Sequence, residues 1–499
     1  MILTKTDYLE YTFCRKNLWL KKHKPELFEG VELSEFERKI IEEGNLADTE
    51  ARHLFNGGVF VDSHGVDAVN DTKQYIETGT QILFQATFQE DVFFIRADVL
   101  VKNDDLGGYE LYEVKAANEI KRKEPMHYIK DLSFQKIVIE KSGIKIVKTG
   151  VIHLNREYRR NGAINYYELF VTEDVSGEVT ALEDEVRKQM EDMKQYLTMP
   201  EEKGCLCIYQ GRSNQCTTFT HSNPQVPEYS VHDINRIGGS KKLLEDWIDR
   251  GIYALEDIDN PEALKGAKKA QYEAYITGKT AIDHDKIQEL LGGLQYPLQF
   301  FDFEGYTSVI PLANGFGAYE QIPFQYSLHI VQEDGTKEHK EFLITESSRD
   351  MTKALVDRMR EDLDPNGTLI VWYKNYEKQR IEKLLELHPE HTDFLMSLVD
   401  NIFDLMEIFS NQYYVDAKFV GSASIKKILP VLVPDLTYKS LNIQKGDQAS
   451  ERWEYMIGDK ATKEEKQAIK EDLLEYCKLD TMAMVRIWEV LNSSIKILM

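Results

Sequence analysis

The pattern of apolar and polar positions predicts strands followed by helices in the first half of the chain. Residues 92–101 are mostly apolar and of strand length, residues 109–115 alternate between side-chain types, and a polar, glycine-containing turn over 103–108 separates them. Such a pattern is typical of a β-hairpin. Residues 36–53 and 130–139 have apolar positions at helical spacing instead. The first half therefore reads as a mixture of strands and helices.

The second half repeats this alternation of element types. Residues 299–305 and 368–373 are apolar runs of strand length, and the second of them ends in a polar turn followed by a helical pattern. Residues 475–481 lie in a strongly helical segment near the end of the chain. Together the two halves predict an α/β protein.

Length and linker composition predict the domain boundaries. At 499 residues the chain is long enough for two or three domains. Residues 222–227 contain two prolines and read as a linker, and residues 265–294 read as continuously helical. We therefore predict a first domain over 1–225, a helical connector over 226–295 and a last domain over 296–499.

The connector contains a short glycine-rich pattern at its beginning. Residues 231–252 suggest a short helix, a Gly-Gly turn and a second helix that starts with Lys241 and Lys242. This order resembles helix-hairpin-helix elements, whose turn amides and lysines bind phosphate. We favour a plain helical connector, because the pattern is short.

Composition restricts the class of protein. The chain has a formal net charge of −24 and five cysteines, and it contains no apolar run near twenty residues. Its first residues lack the apolar core of a signal peptide, so the sequence predicts a cytoplasmic protein without a membrane partner. The cysteines are too few and too unevenly spaced for a secreted disulfide scaffold.

One stretch departs from the acidic average. Between residues 115 and 160 there are twelve basic residues and five acidic ones. A solvated charged face accounts for much of this excess. The cluster Lys121, Arg122 and Lys123 is nevertheless our candidate for a surface that contacts nucleic acid, because it directly follows the predicted hairpin and binding surfaces for the phosphate backbone are locally basic.

Two acidic motifs lie in the last domain. Asp302 and Glu304 are two residues apart on a predicted strand, so both side chains point to the same face. A pair of like charges in an apolar strand is costly, and a divalent cation is the usual remedy. Tyr476 and Asp480 are four residues apart on a helix and share a face there.

These motifs together resemble the DEDD exonucleases of the DnaQ-like, RNase H-like class. The resemblance implies that Asp302, Glu304 and Asp480 hold two metal ions, and that Tyr476 orients the attacking water or helps to deprotonate it. The remaining ligand of such sites is an Asp in a strand-to-helix turn. Glu377 occupies that turn here and is our choice, with Asp404 as the competing candidate.

A second set of charged residues lies in the predicted hairpin of the first domain. Glu113 and Lys115 share a face of the second strand, and antiparallel pairing brings Asp98 beside them. Two acids and a lysine suit a metal ion together with a cation that polarises water or phosphate. This arrangement resembles the PD-(D/E)XK nucleases, and Gln135 stands where RecB-like members carry a glutamine.

RecB-like enzymes also use an acid or histidine from an earlier helix. Asp48 is the preferred candidate in the helix predicted over 36–53, with Glu43 as its alternative.

The cysteines extend the resemblance to RecB-like nucleases with an iron–sulfur cluster. Those proteins use one early and three late cysteines, and this chain offers Cys14, Cys205, Cys207 and Cys216. The resemblance implies a [4Fe-4S] cluster. The late spacing differs from the usual triplet, so His221 as a replacement ligand, or a zinc site, stays open. Cys477 reads as a packing residue of its helix.

The order of all motifs resembles an uncharacterised prokaryotic family that joins a RecB-like module to a DnaQ-like module. The sequence therefore predicts a metal-dependent nuclease that uses Mg²⁺ or Mn²⁺ to process nucleic acid, with DNA preferred, including 3′–5′ exonuclease action. The alternatives are a nucleic-acid-binding or scaffold protein with one or both sites inactive, and an RNA-directed nuclease.

Overall fold

The computed structural model describes residues 1–28, 35–123 and 126–496. Residues 124–125 belong to the basic stretch and lie outside the described residues. The chain divides into two compact units. Unit 1 comprises Met1–Ile208, Asn214–Pro224 and Ser308–Ile310, and unit 2 comprises Tyr209–Ser213, Gln225–Thr307 and Pro311–Met499. Within the described ranges no helix has the length and apolarity to cross a bilayer.

Unit 1 combines a sheet with helices. Its strands are β1 (Leu3–Thr4), β2 (Val59–Phe60), β3 (Ile82–Glu90), β4 (Phe93–Asn103), β5 (Gly108–Lys115), β6 (Ile146–Leu154) and β7 (Phe170–Asp174). Its helices are α1 (Lys5–His23), α2 (Glu35–Ala51), α3 (Gly65–Glu77), α4 (Tyr128–Lys141), α5 (Tyr166–Leu169), α6 (Ser176–Tyr196) and α7 (Phe219–Ser222).

The strands of unit 1 form one mixed sheet in the order β2-β3-β4-β5-β6-β7, and β1 also pairs with β4. Neighbours β3, β4 and β5 run antiparallel, whereas β1 runs parallel to β4 and β5 runs parallel to β6. Apolar side chains of the sheet and of α1, α4 and α6 form the core. The predicted hairpin is therefore present as β4 and β5, in the centre of the sheet.

Unit 2 begins with helices. These are α8 (Lys241–Asp249), α9 (Ala267–Thr277) and α10 (His284–Gly292). The prediction of a continuous helix over 265–294 was wrong. Helix α9 is capped by Gly278, which adopts φ 64°, and the short strand β8 (Ala281–Ile282) follows before α10. A left-handed residue ends a helix, and glycine adopts that conformation without a steric penalty.

The rest of unit 2 is a mixed sheet with helices. Its strands are β9 (Leu298–Tyr306), β10 (Ile322–Val331), β11 (Lys337–Leu343), β12 (Thr368–Val371), β13 (Ile402–Asp404) and β14 (Tyr414–Val415). Its helices are α11 (Thr352–Asp362), α12 (Lys374–Leu387), α13 (Thr392–Asp400), α14 (Glu407–Ser410), α15 (Ile425–Leu432), α16 (Gly446–Ile457) and α17 (Lys463–Lys496).

The five strands of the main sheet lie in the order β11-β10-β9-β12-β13, and β14 pairs separately with β8. The pairs β11–β10 and β10–β9 are antiparallel, while β9–β12 and β12–β13 are parallel. Helix α17 packs against β9 and β10. The prediction of a mixed α/β protein is confirmed, and β9 and α17, which carry the two acidic motifs, are neighbours.

Candidate functional site

The strand β9 brings two acids and a cysteine of α17 to one point in unit 2. Asp302 and Glu304 share a face of β9, opposite Ser327 and Gln325 of β10. One oxygen of each acid and the Sγ of Cys477 all lie within 4.8 Å of one another. Cys477 is fully buried, and its Sγ lies 3.7 Å from the backbone oxygen of Asp302. These three residues therefore form a candidate cation site.

Glu377 adds a further carboxylate from the first turn of α12. Its side chain is 1% exposed, and neither oxygen makes a hydrogen bond to a described residue, although Asp302 and the backbone of Phe303 lie nearby. Burial raises the pKa of Glu377 to about 8, against the opposing charge of Arg380. A buried carboxylate without a donor is costly unless it is protonated or binds a cation.

Asp404 has a different role from Glu377. It lies at the end of β13, where its oxygens accept hydrogen bonds from the backbone N–H groups of Tyr373 (3.1 Å), Lys374 (2.8 Å) and Met406 (3.0 Å). Since the first N–H groups of a helix lack partners within the helix, Asp404 satisfies the start of α12. It thereby fixes the turn that carries Glu377.

Helix α17 contributes Asp480 and Tyr476. Asp480 is buried, and burial raises its pKa to about 6 even though Tyr438 donates a 2.6 Å hydrogen bond to its Oδ1. The charges of Asp480 and Glu377 add to burial in raising the pKa of Asp302. Burial also raises the pKa of Tyr476, so its hydroxyl keeps its proton at neutral pH.

Two residues of this site carry no signal in the sequence motifs. Tyr438 holds Asp480 from a short turn between α15 and α16. Burial raises the pKa values of Glu304 and Asp480, and the positive charge of Lys426, an exposed residue of α15, opposes that rise.

The hairpin of unit 1 brings together its predicted residues around Glu113. This carboxylate is 1% exposed, and its Oε1 accepts hydrogen bonds from the Nζ atoms of Lys115 and Lys5, each at 2.7 Å. Its Oε2 accepts from Nε2 of Gln135 at 2.7 Å. Burial raises the pKa of Glu113, but the two lysines outweigh burial and hold it well below its usual range.

Asp98 lies across the hairpin from Glu113. Its Oδ2 accepts from the backbone N–H of Val114 (2.8 Å), and its Oδ1 accepts from Nε2 of Gln85 (3.2 Å). Burial and the charge of Glu113 raise the pKa of Asp98 to about 7. The pKa values of the neighbouring Asp98 and Glu113 are therefore shifted in opposite directions.

Lys5 and Asp131 are residues of this site that sequence reasoning missed. Asp131 accepts a 2.7 Å hydrogen bond from Lys115 and a 3.1 Å hydrogen bond from Gln135. Because it precedes Gln135 by four residues, its place on the same helical face was readable from the sequence. Lys5 enters the site only because β1 pairs with β4, which no local pattern indicates.

The two candidates from α2, a helix that packs against β5, have different partners. Asp48 forms an ion pair with Arg52, and its charge contributes to the raised pKa of Asp98. Glu43 is buried and accepts a hydrogen bond from the backbone N–H of Val309. Of these two acids, Asp48 is the one whose charge contributes to the raised pKa of Asp98.

The basic cluster is not uniform. Arg122 forms ion pairs with Glu178 (2.8 Å) and Glu173 (3.5 Å), so its charge is largely compensated. Lys121 and Lys123 are exposed.

At the start of α8, Lys241 lies 3.9 Å from Glu245, and two short turns rather than a helix precede α8.

The four predicted cysteines converge in unit 1. Their Sγ atoms all lie within 4.8 Å of one another, so the cluster can hold a metal. Cys14, Cys207 and Cys216 are buried and Cys205 is half-buried. His221 is not part of the group, and its Nε2 lies 3.8 Å from Glu201.

Comparison with known proteins finds similarity to a domain of unknown function and to uncharacterized mycoplasmal proteins. A family model described as "Domain of unknown function (DUF2779)" matches residues 299–424. The chain is 28% identical to the uncharacterized protein MG366 of Mycoplasma genitalium over 241 residues, which is 45% of this chain and 36% of that protein. It is 26% identical to the MG366 homolog of Mycoplasma pneumoniae over 207 residues, 38% of this chain and 31% of that protein.

The chain thus spans about a third of the length of these curated relatives. Among solved structures, "Crystal structure of SSO0001" aligns with 40% of this chain and 79% of its own, with 12% identity and a TM-score of 0.22. A score this low carries no argument about fold. The matched region, 299–424, includes Asp302, Glu304, Glu377 and Asp404, and it ends before α17.

Proposed function

We propose that unit 2 is a metal-dependent 3′–5′ exonuclease with an RNase H-like, DnaQ-like domain. The observation that carries this proposal is a group of four acids, of which Glu304, Glu377 and Asp480 are buried and Asp302 is half-buried. In this group Glu377 makes no hydrogen bond to a described residue. Four acids at one buried point repel one another, and divalent cations with oxygen ligands relieve that repulsion.

The donor set fits Mg²⁺ or Mn²⁺, which prefer carboxylate oxygens. Asp302, Glu304, Glu377 and Asp480 would hold the ions, which supply a nucleophile at neutral pH and stabilise the attacking and leaving oxygens of a phosphodiester. Tyr476, whose hydroxyl keeps its proton, would orient the attacking water by donating or accepting a hydrogen bond. Tyr438 would hold Asp480 in place.

The test is degradation of end-labelled single- and double-stranded DNA and RNA with magnesium, manganese or chelator. We expect metal-dependent loss of 3′ nucleotides, with DNA the preferred substrate. Asp302→Asn and Asp480→Asn should each lower the rate by orders of magnitude, because each removes a charge that holds an ion. Glu338→Gln, at an exposed acid of β11, is the matched control. Unchanged activity in both Asn variants would refute the proposal.

For unit 1 we propose a RecB-like PD-(D/E)XK nuclease site. Asp98 and Glu113 would hold a metal ion with help from Asp48, and Lys115 would polarise the scissile phosphate or water. The close contacts among Glu113, Lys115 and Gln135 support this role, because they fix the side chains that such chemistry requires.

One observation favours an alternative for unit 1. Both oxygens of Glu113 are already occupied by Lys5, Lys115 and Gln135, which leaves this carboxylate little capacity for a metal ion. A site whose central carboxylate has little capacity for a metal ion suits binding of nucleic acid without cleavage, in which the lysines would contact phosphate. If cleavage persists in Asp302→Asn and disappears in Glu113→Gln, the result would support a nuclease site in unit 1 over a site that only binds nucleic acid.

A further inference from the structure

The four cysteine sulfurs of unit 1 lie closer together than an iron–sulfur cubane allows. All four Sγ atoms are within 4.8 Å of one another, and those of Cys205 and Cys216 are 3.8 Å apart. Points separated by no more than 4.8 Å fit inside a sphere of about 2.9 Å radius. A [4Fe-4S] cluster places four irons and four sulfides between its thiolates, each bound to a different iron. That group does not fit this space.

A single tetrahedral ion does fit. A zinc–sulfur bond of ~2.3 Å in a regular tetrahedron separates neighbouring sulfurs by ~3.8 Å. The Cys205–Cys216 separation equals that value, and it is far longer than a disulfide bond of ~2.05 Å. Four thiolates that can surround one ion tetrahedrally are the usual ligands of a structural zinc site with no open position.

Contacts outside the sulfurs hold this geometry. Cys14 departs from helical geometry inside α1 (φ −152°, ψ 93°), and this kink lies at the cluster. Three residues further along α1, Asn17 accepts hydrogen bonds through its Oδ1 from Thr217 and from Thr218, next to Cys216. On the opposite side, Asn223 donates a 3.2 Å hydrogen bond to the Sγ of Cys205. At metal sites, hydrogen bonds from residues that do not themselves bind the ion orient the thiolates that do.

We propose that Cys14, Cys205, Cys207 and Cys216 hold one zinc ion, which ties α1 to the segment after α6. The ion closes a loop of nearly two hundred residues, and cross-links that close long loops restrict the unfolded chain most. It therefore stabilises unit 1 and takes no part in cleavage. This inference does not depend on whether either unit is a nuclease.

The full-length protein, purified anaerobically from medium that contains both iron and zinc, provides the first test. We expect one zinc per chain by elemental analysis, no acid-labile sulfide and a colourless solution. Replacement by Co²⁺ should give the intense visible bands of a tetrahedral tetrathiolate site. Iron and sulfide near four each, with a brown colour, would overturn the proposal. Metal-free protein under these conditions would overturn it as well.

Variants assign the ion to these ligands. Cys14→Ser and Cys216→Ser should lose the zinc, whereas His221→Ala, at a histidine that is not part of the cysteine group, should keep one zinc per chain. Zinc retained in both Cys14→Ser and Cys216→Ser would overturn the assignment. If these variants fail to fold, the Co²⁺ spectrum of the wild-type chain still assigns the ion, because a tetrathiolate site needs four of the chain's five cysteines and Cys477 groups with Asp302 and Glu304 instead.

A strong chelator should then release one zinc and lower the unfolding temperature of unit 1 by several degrees. Added zinc should restore it, because metal binding to the folded state alone adds to stability. An unfolding temperature that does not change on zinc removal would refute the stabilising role.

Discussion

Glu377 shows how a single buried residue links metal binding to stability. Its carboxylate has no hydrogen bond to a described residue, and burial raises its pKa to about 8. An unfolded chain releases the same proton near 4.5, the ordinary pKa of a glutamate. Between these values the folded state holds more protons than the unfolded state. Metal-free stability should therefore fall as the pH rises from about 4.5 to 8.

This prediction is checked by the unfolding temperature of unit 2 in chelator between pH 5 and pH 9. Glu377→Gln should flatten the decline, because the amide cannot ionise, and should raise the metal-free unfolding temperature at pH 8. Glu382→Gln, on the same helix but half-exposed beside Lys378, is the matched control and should keep the wild-type slope. A slope in Glu377→Gln equal to that of the wild type would contradict the prediction. Magnesium should flatten the wild-type slope.

At the scale of elements, the hairpin β4–β5 was predictable and its surroundings were not. Apolar runs and a glycine-containing turn located both strands, and alternation along the second strand placed Glu113 and Lys115 on one face, because a strand repeats every two residues. Gln85, opposite Asp98 in the neighbouring strand β3, has φ 58°, and the regular pairing of β3 with β4 skips it. This irregularity lets Gln85 reach Asp98, and nothing in the alternation of β3 predicts it.

The basic segment after the hairpin yields a prediction at the same scale. Lys121→Glu and Lys123→Glu should each weaken DNA binding and reduce its salt slope by at least ~0.7–0.9, the value for one lost phosphate contact. Arg122→Glu should change the slope less, because Arg122 is already paired with Glu178 and Glu173. Binding is measured by fluorescence anisotropy at several salt concentrations. Equal slopes in all three variants and the wild type would exclude this surface from DNA binding.

At the scale of the whole molecule, the two candidate sites belong to different units, each with its own hydrophobic core. We therefore expect separable activities. Lys115→Ala should abolish cleavage by unit 1 and leave 3′ trimming by unit 2 intact, while Asp302→Asn should do the reverse. End-labelled substrates that distinguish internal cuts from 3′ trimming measure both. Loss of every activity in Lys115→Ala, or loss of none, would contradict two independent sites.

The sequence by itself determined the parts of this protein that depend on local periodicity. It located β4, β5, β9, β12, α4 and α17, and it placed Asp302 and Glu304 on one strand face and Tyr476 and Asp480 on one helical segment. It also indicated that the chain mixes strands and helices. A side chain's direction follows from the repeat of its own element, so these features require no knowledge of the fold.

Only the tertiary structure decided which distant residues meet. The contacts of Lys5 with Glu113 and of Tyr438 with Asp480 depend on how separate elements pack, and no spacing in the sequence encodes them. The sequence favoured Glu377 over Asp404 from its place in a strand-to-helix turn, but only the structure shows that Asp404 accepts hydrogen bonds from the start of α12. The distances between the cysteine sulfurs favour one zinc ion over a cubane cluster. They depend on segments that lie nearly two hundred residues apart in the sequence, and distances of that kind exist only in the folded chain.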